Sequence, residues 1–256
     1  MYKINQCPVC NSTNVEMNSA FISKFVNWRV TGEYSEQDIP NYSISCNDCS
    51  FFGSEDRLTD EDANKLYADY RGTVYNEMRV KCEPQYLKRQ SKFDEQEYIS
   101  ERLVNISNLV NKHINPMMIR SVLDYGGDNG LHIPLQFGKA KKYVYEISNV
   151  PLLEGIERFN LNEDRTFDLL MCCHVLEHLS DPNKIVVEIK KFANKDSFFY
   201  FEVPGYSNPP PPNLVFHEHI NVYNVKSLTT LLNKNGIEVI DHSADGKYVC
   251  VLGKLK

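Results

Sequence analysis

Two sets of residues have the types and spacing for chemistry. Four cysteines stand as Cys7-Pro-Val-Cys10 and Cys46-Asn-Asp-Cys49, two C-x2-C pairs separated by 35 residues. Two thiolates at that spacing can bite one ion, and two such turns complete a tetrahedral S4 shell suited to Zn2+. A closed shell has no open position, so a structural zinc is expected, supplying folding energy to a small ribbon over residues 1–54 whose polar spacer builds little core alone. A redox C-x-x-C would want a βαβ unit beside it. These pairs instead flank aromatic, polar, strand-like stretches such as AFISKFVNWRV. The second set is His217, Glu218 and His219, followed by Tyr223, in NLVFHEHINVYN. Buried ionisable groups are costly unless partnered, so such a run marks a candidate site wherever it borders a crevice. Its H-E-H order does not match the H-E-x-x-H spacing of zinc helices.

These residues need elements to hold them. From about Leu58 the pattern is helical: LTDEDANKLYADY offers Thr59 or Asp60 as an N-cap with acids in the first turn. Beyond Gly72 and Pro84, Ile99, Leu103, Ile106, Val110 and Ile114 recur at spacings of three and four until Pro116, which predicts a helix laid on a core. The cluster Tyr67, Tyr70, Arg71 and Tyr75 fits either a cover over a ligand or plain helix packing. Residues 55–117 therefore read as a helical connector or cap. After Met117 short apolar runs alternate with turns and helical segments: RSVLDYG, KKYVYEI, a weak GIERF, FDLLMCC, FFYFEVP, GIEVIDH and KYVCVLG. Alternation of this kind predicts an α/β domain over 118–256, a parallel sheet covered on both faces. The last two strands are separated only by Ser243 to Gly246, which predicts an antiparallel hairpin at one edge. Ligands in such sheets sit at the carboxyl ends of strands, at the switch point of strand order.

SVLDYGGDNG occupies that place. It is read as a strand ending in Asp124, a turn with Gly126, Gly127 and Gly130, and a helix beginning near Leu131. Glu146 closes the next strand, 22 residues after Asp124, where a carboxylate can accept both hydroxyls of a ribose. Together with FDLLMCCHVLEHLSDP, these stretches resemble the class I S-adenosylmethionine-dependent methyltransferases over roughly residues 119–256. The resemblance implies a Rossmann-like class I methyltransferase sheet with a C-terminal antiparallel hairpin, preceded here by the small zinc ribbon and the helical segment. It also implies S-adenosylmethionine as cofactor. The glycines would let the backbone approach its methionyl part, Asp124 would orient its amino end, and Cys173 and His174 would lie alongside the methionine moiety; on the cover reading of the aromatic cluster, Tyr70 and Tyr75 would lie over the cofactor. Asp128 stands where family members usually carry the middle glycine. A dinucleotide reading is disfavoured, because an acid lies where diphosphate would sit; carboxylates suit a sulfonium and an ammonium group instead.

His174 and His178 are spaced i, i+4 around Glu177, which superficially suggests a metal pair. No third ligand is apparent, and HVLEHLSDP opens a helix in many such enzymes, so His178 reads as helix packing. Cys172 and Cys173 read as small buried apolar residues rather than nucleophiles. The EH-x3-Y pattern beside a four-cysteine ribbon looks like the zinc-ribbon-bearing sugar methyltransferases, whose glutamate and histidine match Glu218 and His219. This implies a sugar, nucleotide-sugar or surface-glycan-precursor acceptor. Several relatives have Tyr where this chain has Phe216. His219 is assigned as general base, Glu218 as its orienter or a second hydroxyl ligand, and His217 as able to exchange roles with His219. O-methylation is preferred over carbon methylation. The proline run in GYSNPPPPN reads as a stiff rim.

The totals bound the partners. Apolar residues at 42% and charged residues at 24% in 256 residues suit a packed globular protein rather than a disordered one. A net charge of -6 argues against a phosphate-tracking surface, so nucleic acid is not expected as partner. The N-terminal MYKINQCPVC has no apolar h-region and no eighteen apolar residues run together, so a cytoplasmic location is expected, with no membrane partner. A ribbon that reads protein or RNA, and a scaffold that has lost catalysis, are the two competing functions.

Overall fold

The computed structural model describes residues 1–93, 95–206 and 213–256. The proline run expected to form a rim, at 209–212, lies outside the described residues.

Near the N-terminus β1 (Tyr2–Lys3) leads to β2 (Val15–Ile22), α1 (Lys24–Thr31), β3 (Ile39–Cys46), β4 (Phe52–Ser54) and β5 (Asp56–Arg57). The stretch read as strand-like, AFISKFVNWRV, is only the end of β2; its remainder is α1. Ser23 caps that helix by accepting from the Val26 N–H at 3.2 Å, and Gly32 ends it in a left-handed conformation, so local caps outweigh the β propensity of Phe25, Val26 and Trp28. The connector holds α2 (Asp60–Tyr67), α3 (Thr73–Cys82), α4 (Tyr86–Phe93) and α5 (Gln96–Asn111). Thr59 caps α2 in a reciprocal capping box with Asp62.

Next come β6 (Ser121–Tyr125), β7 (Lys141–Tyr145), β8 (Ile156–Arg158), β9 (Phe167–Cys173), α6 (Pro182–Lys190) and β10 (Ala193–Pro204). The chain ends with β11 (Val215–Phe216), β12 (Asn221–Val222), α7 (Val225–Lys234), β13 (Ile237–Ala244) and β14 (Tyr248–Leu255). The main sheet has the order β13-β14-β10-β9-β6-β7-β8. Its five strands from β10 to β8 are parallel, and β14 and β13 add antiparallel at one edge as the sequence predicts. Strand order reverses between β6 and β9, so the loops after these two strands face the switch-point crevice.

Two expected helices are absent or displaced. No α-helix begins near Leu131; the β6–β7 connection is a series of turns with a 3-10 turn at Leu135–Phe137. Pro134 and Gly138 divide a connection too short for a helix between them. HVLEHLSDP forms a 3-10 turn at Leu176–His178, and α6 starts only at Pro182, capped by Asp181 accepting from the Lys184 N–H at 3.1 Å.

Side-chain alternation gives the main sheet two cores. Leu123, Leu170, Phe199 and Phe201 pack on one face with Val186 and Ile189 of α6 and Leu228 and Leu231 of α7. Val122, Leu169, Met171 and Tyr200 pack on the other with Ile106, Leu109 and Val110 of α5. Asp124, Cys173 and Glu202 share this second face by register.

The N-terminal sheet is completed from the far end of the chain. Its order is β11-β2-β3-β4-β12, so residues 217–220 connect its two edges. In a flat sheet those edges would be about 19 Å apart, close to the full reach of the intervening backbone. The sheet is therefore curled, and the H-E-H run bridges its open side. The cysteine knuckles are likewise tied to the main domain. Cys7, Cys46, Cys49 and Phe51 belong to the same core as α7, the Pro8 and Val9 carbonyls accept from Asn183 Nδ2 at 2.6 Å and Lys234 Nζ at 3.1 Å, and the Ser50 carbonyl accepts from Asn224 Nδ2 at 2.9 Å.

Candidate active site

The glycine turn follows β6 at the switch point. Gly126 has φ of +74°, its N–H bonds the Tyr145 carbonyl at 2.7 Å, and a Cβ there would lie 2.4 Å from Val175. A Cβ on Gly127 would strike the Asp124 carboxylate at 2.6 Å, and one on Gly130 would strike Ile156 at 2.3 Å. The room left by these glycines is filled by protein atoms. They let the loop fold tightly around Asp124, where a side chain would strike Val175, Asp124 or Ile156. Asp128 takes a left-handed φ of 52°, the conformation glycine would supply, and aspartate tolerates it better than most side chains.

Asp124 is 1% exposed, and its Oδ1 has no hydrogen-bond partner among the described residues. Burial pushes its carboxyl up to about 7, with Glu202, Glu146 and Asp128 adding to the rise and Arg102 opposing it. A buried acid with an orphaned oxygen, near three further acids, fits a ligand that brings an ammonium group or a positive sulfur. Glu146 accepts from the Asp128 N–H at 3.2 Å and the Ser148 N–H at 3.0 Å, so it also braces the loop.

His174 follows β9 with φ of 56°. Its Nε2 is 3.1 Å from Glu202 Oε1 and its Nδ1 3.3 Å from Glu177 Oε1. Burial lowers the imidazole, but the two carboxylates outweigh burial and raise it. Glu202 also takes Arg102 Nε at 2.7 Å and the Tyr200 hydroxyl at 2.8 Å; burial pushes it up, yet the His174 bond and the Arg102 charge hold it at about 2. Cys172 and Cys173 are buried, and burial raises both thiols well above their ordinary value, in keeping with inert packing residues.

The H-E-H run does not form one catalytic group. His217 Nδ1 pairs with Glu83 Oε1 at 3.0 Å. Glu218 accepts from the Tyr75 hydroxyl and pairs with Arg79 Nη1 at 3.1 Å. His219 packs edge-on against His178 with ring centroids 4.6 Å apart, and its Nδ1 is 3.2 Å from the Tyr206 hydroxyl. Glu218 therefore does not serve as the orienter of His219, because its oxygens are engaged by α3. Nor does His217, 43% exposed and held by Glu83, share the surroundings of His219. Burial, then the nearby His178, pushes His219 down to about 3, which leaves a neutral ring with a free lone pair. Tyr223 is buried against Phe51 and donates its hydroxyl to the Leu176 carbonyl at 3.3 Å, apart from the other three residues.

Tyr75 is fully buried and Tyr70 stacks edge-on against it at 5.3 Å, while Arg71 beside them pairs with Asp128 at 3.4 Å. The aromatic cluster thus packs together and reaches the glycine loop through Arg71. Sequence reasoning missed the Arg102–Glu202 pair, though its signal was present: an arginine between Ile99 and Ile106 on an apolar stripe, and a glutamate inside FFYFEVP. It also missed Arg79, Glu83 and Asn221, whose Nδ2 bonds the Leu176 and Leu179 carbonyls at 2.8 and 2.7 Å. Nothing in their local sequence announces them.

The four expected metal ligands, Cys7, Cys10, Cys46 and Cys49, converge, with one ligand atom each within 4.8 Å of the others. Cys7 and Cys49 Sγ are 3.5 Å apart, as are Cys10 and Cys46. Zn–S bonds of about 2.3 Å imply sulfur separations of about 3.8 Å, so the shell fits zinc. Asn11 and Ser50, each directly after a pair, have left-handed φ and donate N–H to the Cys7 and Cys46 carbonyls at 2.9 Å, giving two matching knuckles.

The family described as methyltransferase domain matches residues 94–242, more than half of the chain. The chain belongs to this family. Its core is a class I S-adenosylmethionine-dependent methyltransferase domain. A tRNA U34 carboxymethyltransferase of Campylobacter jejuni subsp. jejuni is 24% identical over 152 residues, 49% of this chain and 51% of that protein. The chain thus spans about half the length of the curated relative it matches. Among solved structures, an O-methyltransferase family protein from Burkholderia thailandensis is similar with TM-score 0.51 at 13% identity, covering 71% of this chain and 63% of that one. The mitomycin 7-O-methyltransferase MmcR is similar with TM-score 0.50 at 13% identity, covering 75% and 63%. These likenesses concern the fold. No helix among the described residues is long and apolar enough to cross a membrane.

Proposed function

We propose that this protein transfers a methyl group from S-adenosylmethionine to a hydroxyl of a small carbohydrate-type acceptor, a sugar, nucleotide sugar or surface-glycan precursor, with His219 as general base. The observation that carries the reading is the contact of His219 with His178, which brings the loop between β11 and β12 against the turn that follows β9 at the switch point. S-adenosylmethionine supplies an already activated methyl group, so the protein's work is alignment and proton removal. Asp124 holds the amino end through its orphaned oxygen, and Glu146 receives the ribose hydroxyls with the lone pairs its loop bonds leave free. Cys173 and His174 border the methionine moiety, and Tyr70 and Tyr75 close the cap side. Glu218, fixed by Tyr75 and Arg79, accepts from a second acceptor hydroxyl, while His219 takes the proton of the reacting one. The four cysteines hold a structural zinc that keeps the curled sheet closed, and so keeps the bridging run in place.

A second reading, an RNA acceptor recognised through the ribbon, is favoured by the tRNA-directed name of the curated relative. The net charge of -6 weighs against it. Incubation with S-adenosylmethionine and either sugar nucleotides or bulk tRNA, read by mass spectrometry for a gain of one methyl group, separates the two. His219→Ala is expected to keep cofactor affinity within about twofold and to lower turnover by about 10²–10⁴-fold. Unchanged turnover removes His219 from the base role.

A further inference from the structure

We propose that Glu177, His178 and His219 bind a divalent transition-metal ion of the zinc type, at a site separate from the cysteine knuckles. The three residues each offer a ligand atom within 4.8 Å of the others. The sequence shows only the His174 and His178 spacing around Glu177; the missing third ligand arrives from residue 219, across the junction of the two sheets. An ion with bonds of about 2 Å would draw its donors to about 3.4 Å apart, a closure within reach of small side-chain rotations.

Two further observations point to a cation. Glu177 is fully buried, and neither carboxylate oxygen has a hydrogen-bond partner among the described residues. Its neighbours are His178 Nε2 at 3.9 Å and His174 Nδ1 at 3.3 Å, and His174 is shared with Glu202 through Nε2. The pair with His174 offsets part of the cost of burying this carboxylate, and a coordinated ion would supply the remainder from the side of His178 and His219. Both ligating rings are also oriented from behind. Tyr67 hydroxyl lies 3.1 Å from His178 Nδ1 and Tyr206 hydroxyl 3.2 Å from His219 Nδ1, the kind of outer bond that turns Nε2 into the free donor of a metal-binding imidazole. Two histidines and one carboxylate form a borderline-soft set suited to Zn2+ or Co2+, with a coordination position left open.

Because the ion would occupy the lone pair of His219, it competes with the proposed base role, and this consequence rests on that reading; the binding does not. The test uses the full chain with its cysteine site filled by zinc and free metal removed, titrated with Co2+. The expected result is one additional cobalt per chain with visible ligand-field bands and no intense thiolate charge-transfer band. Glu177→Gln and His178→Gln should each weaken it at least tenfold while the zinc content stays constant. His178→Gln serves where the buried Glu177 variant fails to fold. No additional cobalt, or cobalt bound equally by His178→Gln, overturns the site. In a turnover assay added Zn2+ should inhibit the protein at the concentration that displaces cobalt, and stimulation would overturn the competition. Failure to methylate any acceptor would bear on the proposed activity alone, since the cobalt titration reads the site without it.

Discussion

The proposed role of Asp124 at the amino end of the cofactor predicts an affinity that depends on pH in a direction set by its surroundings. Its carboxyl is raised to about 7 by burial in the free protein. A cationic ligand pairs only with the ionised form, so the proton must leave before binding. At pH 7.5 about three quarters of the protein carries the ionised group; at pH 5.5 about 3% does. Affinity for S-adenosylmethionine should therefore fall about 25-fold between these two values, while the ligand's amino group stays largely protonated. The free protein carries the complementary effect. A folded-state value above the unfolded one means that the folded chain prefers the proton, so this group costs stability as pH rises from about 4 to about 7, a total of about 4 kcal/mol. Calorimetric titration at the two pH values, repeated with Asp124→Asn, checks both halves. The variant should bind more weakly at pH 7.5, with little pH dependence, and its melting temperature should fall less between pH 5 and 7 than that of the parent. An affinity that changes less than threefold in the parent, or a slope that survives in Asp124→Asn, would refute the assignment of Asp124 to the cationic end of the cofactor.

Three shorter tests address the frame around the site. Cys49→Ala should reduce zinc from one per chain to near zero and lower stability by several kcal/mol, because the knuckles are hydrogen-bonded to α6 and α7 and share their core; metal analysis with thermal unfolding reads it, and full zinc retention sinks the S4 shell. Gly126→Ala places a Cβ in a left-handed backbone and against Val175, so about 1–3 kcal/mol of stability should be lost together with cofactor affinity; a neutral result by denaturant titration would mean that the turn relaxes freely. Glu202→Gln leaves Arg102 buried without its anion, at a cost of about 3–5 kcal/mol, whereas the paired replacement Arg102→Met with Glu202→Gln should recover much of it; a double-mutant cycle with no coupling would contradict the ion pair.

The main sheet was legible because its signals are local. Every apolar run named beyond Met117 contains a strand, and the short gap at 243–246 gives the edge hairpin. Asp124 and Glu146 fall within one residue of the ends of β6 and β7, which stop at Tyr125 and Tyr145, for the same reason: a strand's carboxyl terminus can be read from where its apolar run stops. Helix starts were less legible. The β6–β7 connection lost its helix to Pro134 and Gly138, and α1 appeared where aromatic and β-branched residues suggested a strand, because the deciding groups, Ser23 and Gly32, are single caps.

The H-E-H run shows where reading by adjacency stops. Three consecutive ionisable residues look like one catalytic group, yet each is partnered by a different remote element: His217 by Glu83 at the end of α3, Glu218 by Tyr75 and Arg79 within α3, and His219 by His178 after β9. The cause is topological. Residues 215–222 leave the main sheet, add β11 to one edge of the N-terminal sheet, cross its open side and add β12 to the other. A backbone stretched between two edges displays its side chains to whatever lies on either side of it, here the helical connector and the switch-point crevice. Ribbon, connector and methyltransferase sheet thus meet along four residues. The placement of His217, Glu218 and His219 consequently depends on strands remote from them in sequence, and with the proposed zinc shell a change at the cysteines should reach His219 through β2 and β4 before it reaches Asp124.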